Sequence, residues 1–190
     1  MATVTRPDMT ADEFLVWNLS REQRYELVDG VPVPLRAMYG ASNFHDDIVT
    51  NLIVALGIKL KGCKPRTADT ALRTAIKRVR RPDVTVDCAQ SLPDAYESHK
   101  PTAVFEVLSP STRLVDGSLK LSEYLRHPPL RTIVHIDPDR MAVAVFHRGA
   151  DGQWSDWLVI APGDLVAVQE TPAVLTLAEI YDGIPLSEPL

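Results

Sequence analysis

Three strand-like runs set close together, "ALRTAIKRV", "PDVTVDC" and "TAVFEVL", limit the architecture of this chain more than any other feature. They follow a long helix and precede a second helix and further strands. The long helix is read from Ser42 to Lys61, where Ile48, Val49, Leu52, Ile53, Leu56 and Leu60 recur at helical spacing and Gly62 suits the stop. "SLKLSEYLRH" reads as the next helix, ended by Pro128-Pro129. "RTIVHIDP", "MAVAVFHR" and "WSDWLVI" read as strands, and "TLAEIYDG" closes with a short helix. Upstream, "TADEFLVWNL" predicts a first helix with Thr10 as N-cap and Glu13 at the capping-box position. "RYELVDGVPVPL" gives two extended segments around the hairpin signal Asp29-Gly30. This order predicts an α/β fold: a mixed β-sheet flanked by helices, with extra strands at both ends. A length of 190 residues suits one domain, over residues 1–190.

Hydrophobic residues make up 45% and charged residues 24%, the balance of a globular protein rather than a disordered one. The longest apolar run, Leu52 to Ile58, is far too short to cross a bilayer, so no membrane association is expected. Acids near the N-terminus, where a signal peptide would be apolar, predict no secretion. Cys63 and Cys88 lack metal-site spacing and are expected to be reduced and unremarked, which together predicts a cytoplasmic protein. Trp154 and Trp157 are expected to share one strand face, within the core. The net charge is −5, yet Lys59 to Arg81 carries nine basic residues and one acid, Asp69. That segment is +8 and the remainder −13. Such a stretch is either a polyanion-binding face or a solvated edge.

Chemistry is most concentrated in two acids. In "RRPDVTV", Asp83 opens a strand whose other residues call for burial, and Glu106 sits inside the apolar "TAVFEVL". On neighbouring strands the two carboxylates would converge and repel unless a cation lay between them, and hard oxygen ligands suit Mg²⁺ or Mn²⁺. Otherwise Asp83 caps a turn and Glu106 pairs with a core arginine. Glu26 in "RYELVDG" is a third acid in apolar surroundings. Lys120 either pairs with Asp116 on the helix surface or reaches the carboxylates. His45, in the first turn of the long helix, can serve as a base or simply lie at the surface. No Gly-rich phosphate loop or G-x-S-x-G elbow occurs, and Ser109 and Ser111 read as turn formers.

In this order, "YELVDG", a His opening a long helix, "RRPDVTV", "FEVLSPST" and "DGSLKLSEYL" resemble the Uma2 family, of the PD-(D/E)XK restriction-endonuclease-like superfamily. The resemblance runs from about Thr10 to His147. It implies a nuclease-like core whose sheet carries the metal-binding acids: Asp83 matches the Asp of "PD", Glu106 the acid of the next strand, and Glu26 the acid before the long helix. The superfamily's lysine two residues after the second acid is replaced here by Leu108, and Lys120 matches the lysine of the next helix. The implied activity is a Mg²⁺-dependent DNA endonuclease with Asp83, Glu106 and Glu26 at the metal and Lys120 positioning water. DNA, or RNA, would lie along Lys59–Arg81, and two subunits would pair as a homodimer. Asp83→Ala and Glu106→Ala are expected to abolish cutting, and Glu123→Ala to spare it. The alternative is an inactive nuclease-fold scaffold that binds nucleic acid or a protein.

Overall fold

A computed structural model of the protein describes residues 7–35, 42–108, 116–161 and 163–186. Thr10 caps the first helix, α1 (Ala11–Leu19): its hydroxyl accepts the Glu13 N–H while the Glu13 carboxylate accepts the Thr10 N–H. The hairpin β1 (Tyr25–Val28) and β2 (Val31–Pro34) turns at Asp29-Gly30, both with positive φ, 48° and 80°. That is the conformation a two-residue hairpin of this hand requires. Helix α2 (Asn43–Lys59) begins at the Ser42 cap and buries Ile48, Leu52 and Leu56.

The run "ALRTAIKRV" is not one strand. It folds as a hairpin, β4 (Leu72–Ala75) and β5 (Arg78–Arg80), turning at Ile76-Lys77. A short strand in "KPRT", β3 (Lys64–Thr67), precedes it, and β6 (Val84–Asp87) and β7 (Pro101–Val107) follow. Helix α3 (Asp116–Arg126) leads to β8 (Thr132–Asp137), β9 (Ala142–Arg148) and β10 (Trp154–Val159). The chain ends with β11 (Leu165–Ala167), β12 (Val174–Thr176) and α4 (Leu177–Ile180), the last again started by a capping box, Thr176 with Glu179.

The main sheet has the order β10-β9-β8-β7-β6-β3, antiparallel except for β7 and β8. Parallel neighbours need a crossover, and α3 supplies it. Alternation along β7 divides the core. Ala103, Phe105 and Val107 pack with Ile48, Leu52 and Leu56 of α2, whereas Val104 packs with Tyr124 of α3, Leu130 and Ile133. A second sheet, β2-β1-β5-β4, packs with α1 through Phe14, Leu27 and Val79. The expected α/β architecture is therefore present, with a second four-stranded sheet that was not anticipated.

Two readings are corrected. Cys63 and Cys88 form a disulfide, because they flank the facing pair Lys64 and Asp87 of β3 and β6. Trp154 and Trp157 lie three residues apart, hence on opposite faces of β10. Trp154 donates to the Leu125 carbonyl in the core, whereas Trp157 is partly exposed beside His147. Among the described residues no helix is long and apolar enough to cross a membrane.

Two stability outcomes follow. Phe105→Ala, in the fully buried centre of β7, is expected to cost about 3–5 kcal/mol in urea unfolding. Reducing the disulfide, which spans a sequence separation of 25, is expected to cost about 3 kcal/mol, read as a shift of the urea midpoint with dithiothreitol.

Candidate functional site

The chain crosses from the second sheet to the main one over Arg80, Arg81, Pro82 and Asp83. Proline lacks a donor and suits a place where one ladder ends before the next begins. This crossing brings acids from both sheets together. Continuing the Leu27–Val79 register of β1 and β5 by one residue sets Glu26 opposite Arg80. Continuing the Val84–Phe105 register of β6 and β7 sets Asp83 opposite Glu106. Asp83 Oδ2 also accepts the Val107 N–H at 2.8 Å, which pins the carboxylate to β7.

Helix α3 completes the site. Lys120, Glu123 and Tyr124 stand three and four positions apart, on one face. Lys120 Nζ lies 3.2 Å from Glu26 Oε1 and 3.6 Å from Glu106 Oε1. The Tyr124 hydroxyl donates to Glu106 Oε1 at 2.6 Å. Glu123 accepts both ends of the Arg80 fork, at 2.9 and 2.6 Å, and the Thr74 hydroxyl at 2.8 Å. From α2, His45 Nε2 approaches Asp83 Oδ1 at 3.4 Å, while its buried Nδ1 lacks a hydrogen-bond partner and lies 3.8 Å from Asp46 Oδ1. Four of the five candidate residues are thus linked: Glu26, Glu106 and Lys120 directly, Asp83 through the β6–β7 register. His45 joins at the edge.

Electrostatics distinguish the acids. Burial pushes the Glu106 carboxyl up to about 7, with Lys120 opposing and Asp83 adding to the rise. The Lys120 ammonium is held charged: burial opposes, but Glu106, Glu26 and Asp83 together raise its pKa. Asp83 raises that of His45, chiefly by the hydrogen bond, against burial.

Glu26 does not stand free as a ligand. Its Oε2 accepts from Arg80 at 3.1 Å, and its Oε1 accepts the Arg81 N–H at 3.1 Å besides facing Lys120. The arginine in the core serves Glu26 and Glu123, not Glu106. The proposed control, Glu123→Ala, is also corrected: Glu123 is buried and removing it would strand the buried Arg80. Asp116's side chain and the "SPST" turn formers Ser109 and Ser111 lie outside the described residues.

The basic segment is mostly consumed internally. Lys59 pairs with Glu179, Arg73 with Asp12 and Glu97, Lys77 with Asp8, and Arg78 with Asp29. Arg81 donates to the carbonyls of Tyr25, Ala68 and Asp69, and Arg66 to Ser91. Of the nine cations, Lys61 and Lys64 alone lack a hydrogen-bond or ion-pair partner among the described residues. Acids elsewhere in the chain offset five of the rest, and Arg66 and Arg81 are engaged by a hydroxyl and main-chain carbonyls, so a continuous phosphate track along Lys59–Arg81 is not presented. Arg80, Glu123 and Tyr124 escaped sequence reading. The available signal was the spacing of Lys120, Glu123 and Tyr124, three chemistry-bearing residues on one helical face.

The family description "Putative restriction endonuclease", Uma2, matches residues 11–178. The chain belongs to the Uma2 family. An uncharacterized Synechocystis protein, slr1290, is 27% identical over 158 residues, covering 81% of this chain and 80% of its own. Among solved structures, a "putative nuclease belonging to DUF820" from Anabaena variabilis superposes with a TM-score of 0.72 at 18% identity. The match covers 91% of this chain and 97% of that one. This Uma2 protein thus shares a nuclease-like fold, and its acids sit where the two sheets and α3 meet.

The shifted groups set how stability varies with pH. Burial, then Lys120, lowers the pKa of His135 to about 4. The unfolded chain therefore binds the extra proton between about pH 6.5 and 4, and stability falls as pH drops through that window. Glu106 acts oppositely: its raised pKa gives stability that is present below about 4.5 and lost as pH rises through about 7. Comparing His135→Asn with the parent isolates the first effect. The parent should lose on the order of 3 kcal/mol more than the variant between pH 6.5 and 4, measured by urea unfolding.

Proposed function

We propose that this protein is a metal-dependent phosphodiesterase, a DNA endonuclease of the PD-(D/E)XK type using Mg²⁺ or Mn²⁺. The observation that carries the reading is a local excess of negative charge. Arg80 is matched by Glu123 and Lys120 by Glu26, so that among the described residues Asp83 and Glu106 share the far side of Lys120 and the His45 ring as their cationic or titratable partners. A buried carboxylate, Glu106, and a partly buried one, Asp83, facing each other across adjacent strands call for a cation. Among the described residues no three His, Cys, Asp or Glu side chains are grouped to hold a metal. A hard divalent ion does not need three, since Mg²⁺ is often held by one or two carboxylates, waters and substrate phosphates. The residues fit such an ion, and Asp83 and Glu106 would hold it.

A bound divalent cation would draw charge from a scissile phosphate and make a neighbouring water more acidic. The protein's own groups do the rest. Tyr124 fixes one oxygen of Glu106. The Val107 N–H orients Asp83, and His45 donates to its other oxygen when Nε2 carries a proton. Lys120, kept protonated, aligns a water and favours the charge that develops on phosphate oxygens. Lys61 and Lys64 are exposed and open to backbone phosphates.

One observation favours a second reading. The Lys120 ammonium already bridges Glu26 and Glu106, so the network can stand as a structural ion-pair knot in a nuclease-fold scaffold without cutting. Plasmid nicking with Mg²⁺ or Mn²⁺, alongside Mn²⁺ titration calorimetry, decides between them, with RNA as a parallel substrate. The enzyme reading expects cutting, with Asp83→Asn and Glu106→Gln each losing at least about 100-fold while remaining folded. A protein that cuts neither nucleic acid and binds no Mn²⁺ is the scaffold.

A further inference from the structure

The ion pairs around Arg80 close on themselves. Lys120 pairs with Glu26, Glu26 with Arg80, and Arg80 with Glu123, which lies three residues from Lys120 on the same helix. Four alternating charges thus start and end on α3, passing through β1 and β5 of the second sheet. Side-chain exposure is 5% for Arg80 and 2% for Glu123, so the Arg80–Glu123 side of the ring is shut off from water, whereas Lys120 is 19% exposed. Neither residue touches Asp83 or Glu106. We propose that Arg80 and Glu123 are positioning residues for the phosphodiesterase reaction: through Glu26 they hold the Lys120 ammonium at its place beside Glu106. The inference rests on the nuclease reading for its chemistry, although the ring's mechanical role is separable from it.

The physical reason is the position of the lysine. At the strand position two residues after Glu106 stands Leu108, which shares the face of Glu106 but carries no charge. A lysine there would be held by the strand itself. Lys120 instead comes from a helix, on a side chain with four rotatable carbons. Bidentate pairing of Glu123 with Arg80 docks α3 against the second sheet and sets the height of Lys120 over the strand end. Arg80 also divides the charge of Glu26, since it takes Oε2 and leaves Oε1 to the lysine. With that division Lys120 stays poised between Glu26 and Glu106 rather than collapsing onto either.

Glu123→Gln tests this. It keeps the shape of the Arg80 contact but removes one charge, so Arg80 draws Glu26 toward itself and away from Lys120. Two readouts are taken on the full-length protein. The first is steady-state nicking of plasmid DNA with Mn²⁺: kcat should fall roughly tenfold with KM within about twofold. The second does not depend on activity. Acetylation by acetic anhydride, followed by mass spectrometry, should label Lys120 several-fold faster relative to exposed Lys61, because a lysine with fewer carboxylate partners is freer and less strongly protonated. Glu123→Asp, which keeps the charge, should recover most of both effects. If Glu123→Gln does not fold, Arg80→Lys serves instead, because it keeps the charge and loses the fork; kcat should fall and Lys120 label faster. Unchanged Lys120 labelling in a folded Glu123→Gln or Arg80→Lys overturns the ring, whatever the nicking assay shows. Faster labelling in a protein whose parent never cuts leaves the ring in place and removes the reaction.

Discussion

A single buried guanidinium organises this molecule. Taking the charge of Arg80 out of water costs several kcal/mol unless partners surround it, and Glu26 and Glu123 do so from two different elements. The contact is possible only if β1, β5 and α3 meet at one point. Arg80 is followed directly by Arg81, Pro82 and Asp83, so whatever fixes Arg80 also fixes the entry of β6 into the main sheet. Arg81 strengthens the same corner by donating to three main-chain carbonyls. The pair of arginines in "RRPD" is thus a structural hinge between two sheets rather than a surface for polyanions.

That constraint sorts the acids by role. Glu26 and Glu123 are saturated by Arg80, Lys120, Thr74 and the Arg81 N–H. Asp83 and Glu106 are less fully matched by cations among the described residues, and Glu106 is also buried. Burial without a full counter-charge is what holds the Glu106 carboxyl near 7, and a group in that state gains most from a cation arriving beside it. If a cation binds as proposed, the charges that brace the site are paired separately from those that would receive it. The division of labour between bracing and waiting carboxylates is the strongest physical link between this fold and phosphodiester chemistry.

Local signals were the ones legible in the sequence. The Thr10 and Thr176 capping boxes, the Asp29-Gly30 turn and the α2 stripe are set by neighbours within a few residues, and each formed where its chemistry required. The family motifs located Asp83 and Glu106, and the structure brings them to facing positions. Long-range consequences were not legible. The turn at Ile76-Lys77 carries neither Gly nor Pro, so the hairpin of β4 and β5 read as one strand. The Cys63–Cys88 bond depends on the β3–β6 register, and β3 begins "KPRT", with little strand character. The basic segment read as an open face because its acids, Asp8, Asp12, Asp29, Glu97 and Glu179, lie scattered along the chain and assemble only on folding.

A leucine rather than a lysine at position 108 bears on why so much charge is buried here. A leucine after Glu106 keeps the strand end apolar, and its N–H extends the β7–β8 pairing to the Ile136 carbonyl. The cation must then arrive from α3, whose own packing against the sheet rests on Tyr124, Leu121 and Leu125. Apolar packing fixes the helix laterally but is not directional, so rotation or sliding by a fraction of a turn would carry Lys120 off the carboxylates. Directional contacts are what remove that freedom. Glu123 to Arg80 and Tyr124 to Glu106 leave the helix on the same face as Lys120, one toward each sheet, and together they define a single register. A helix-borne lysine therefore needs a second, buried salt bridge beside it, whereas a strand-borne one would inherit its position from the ladder.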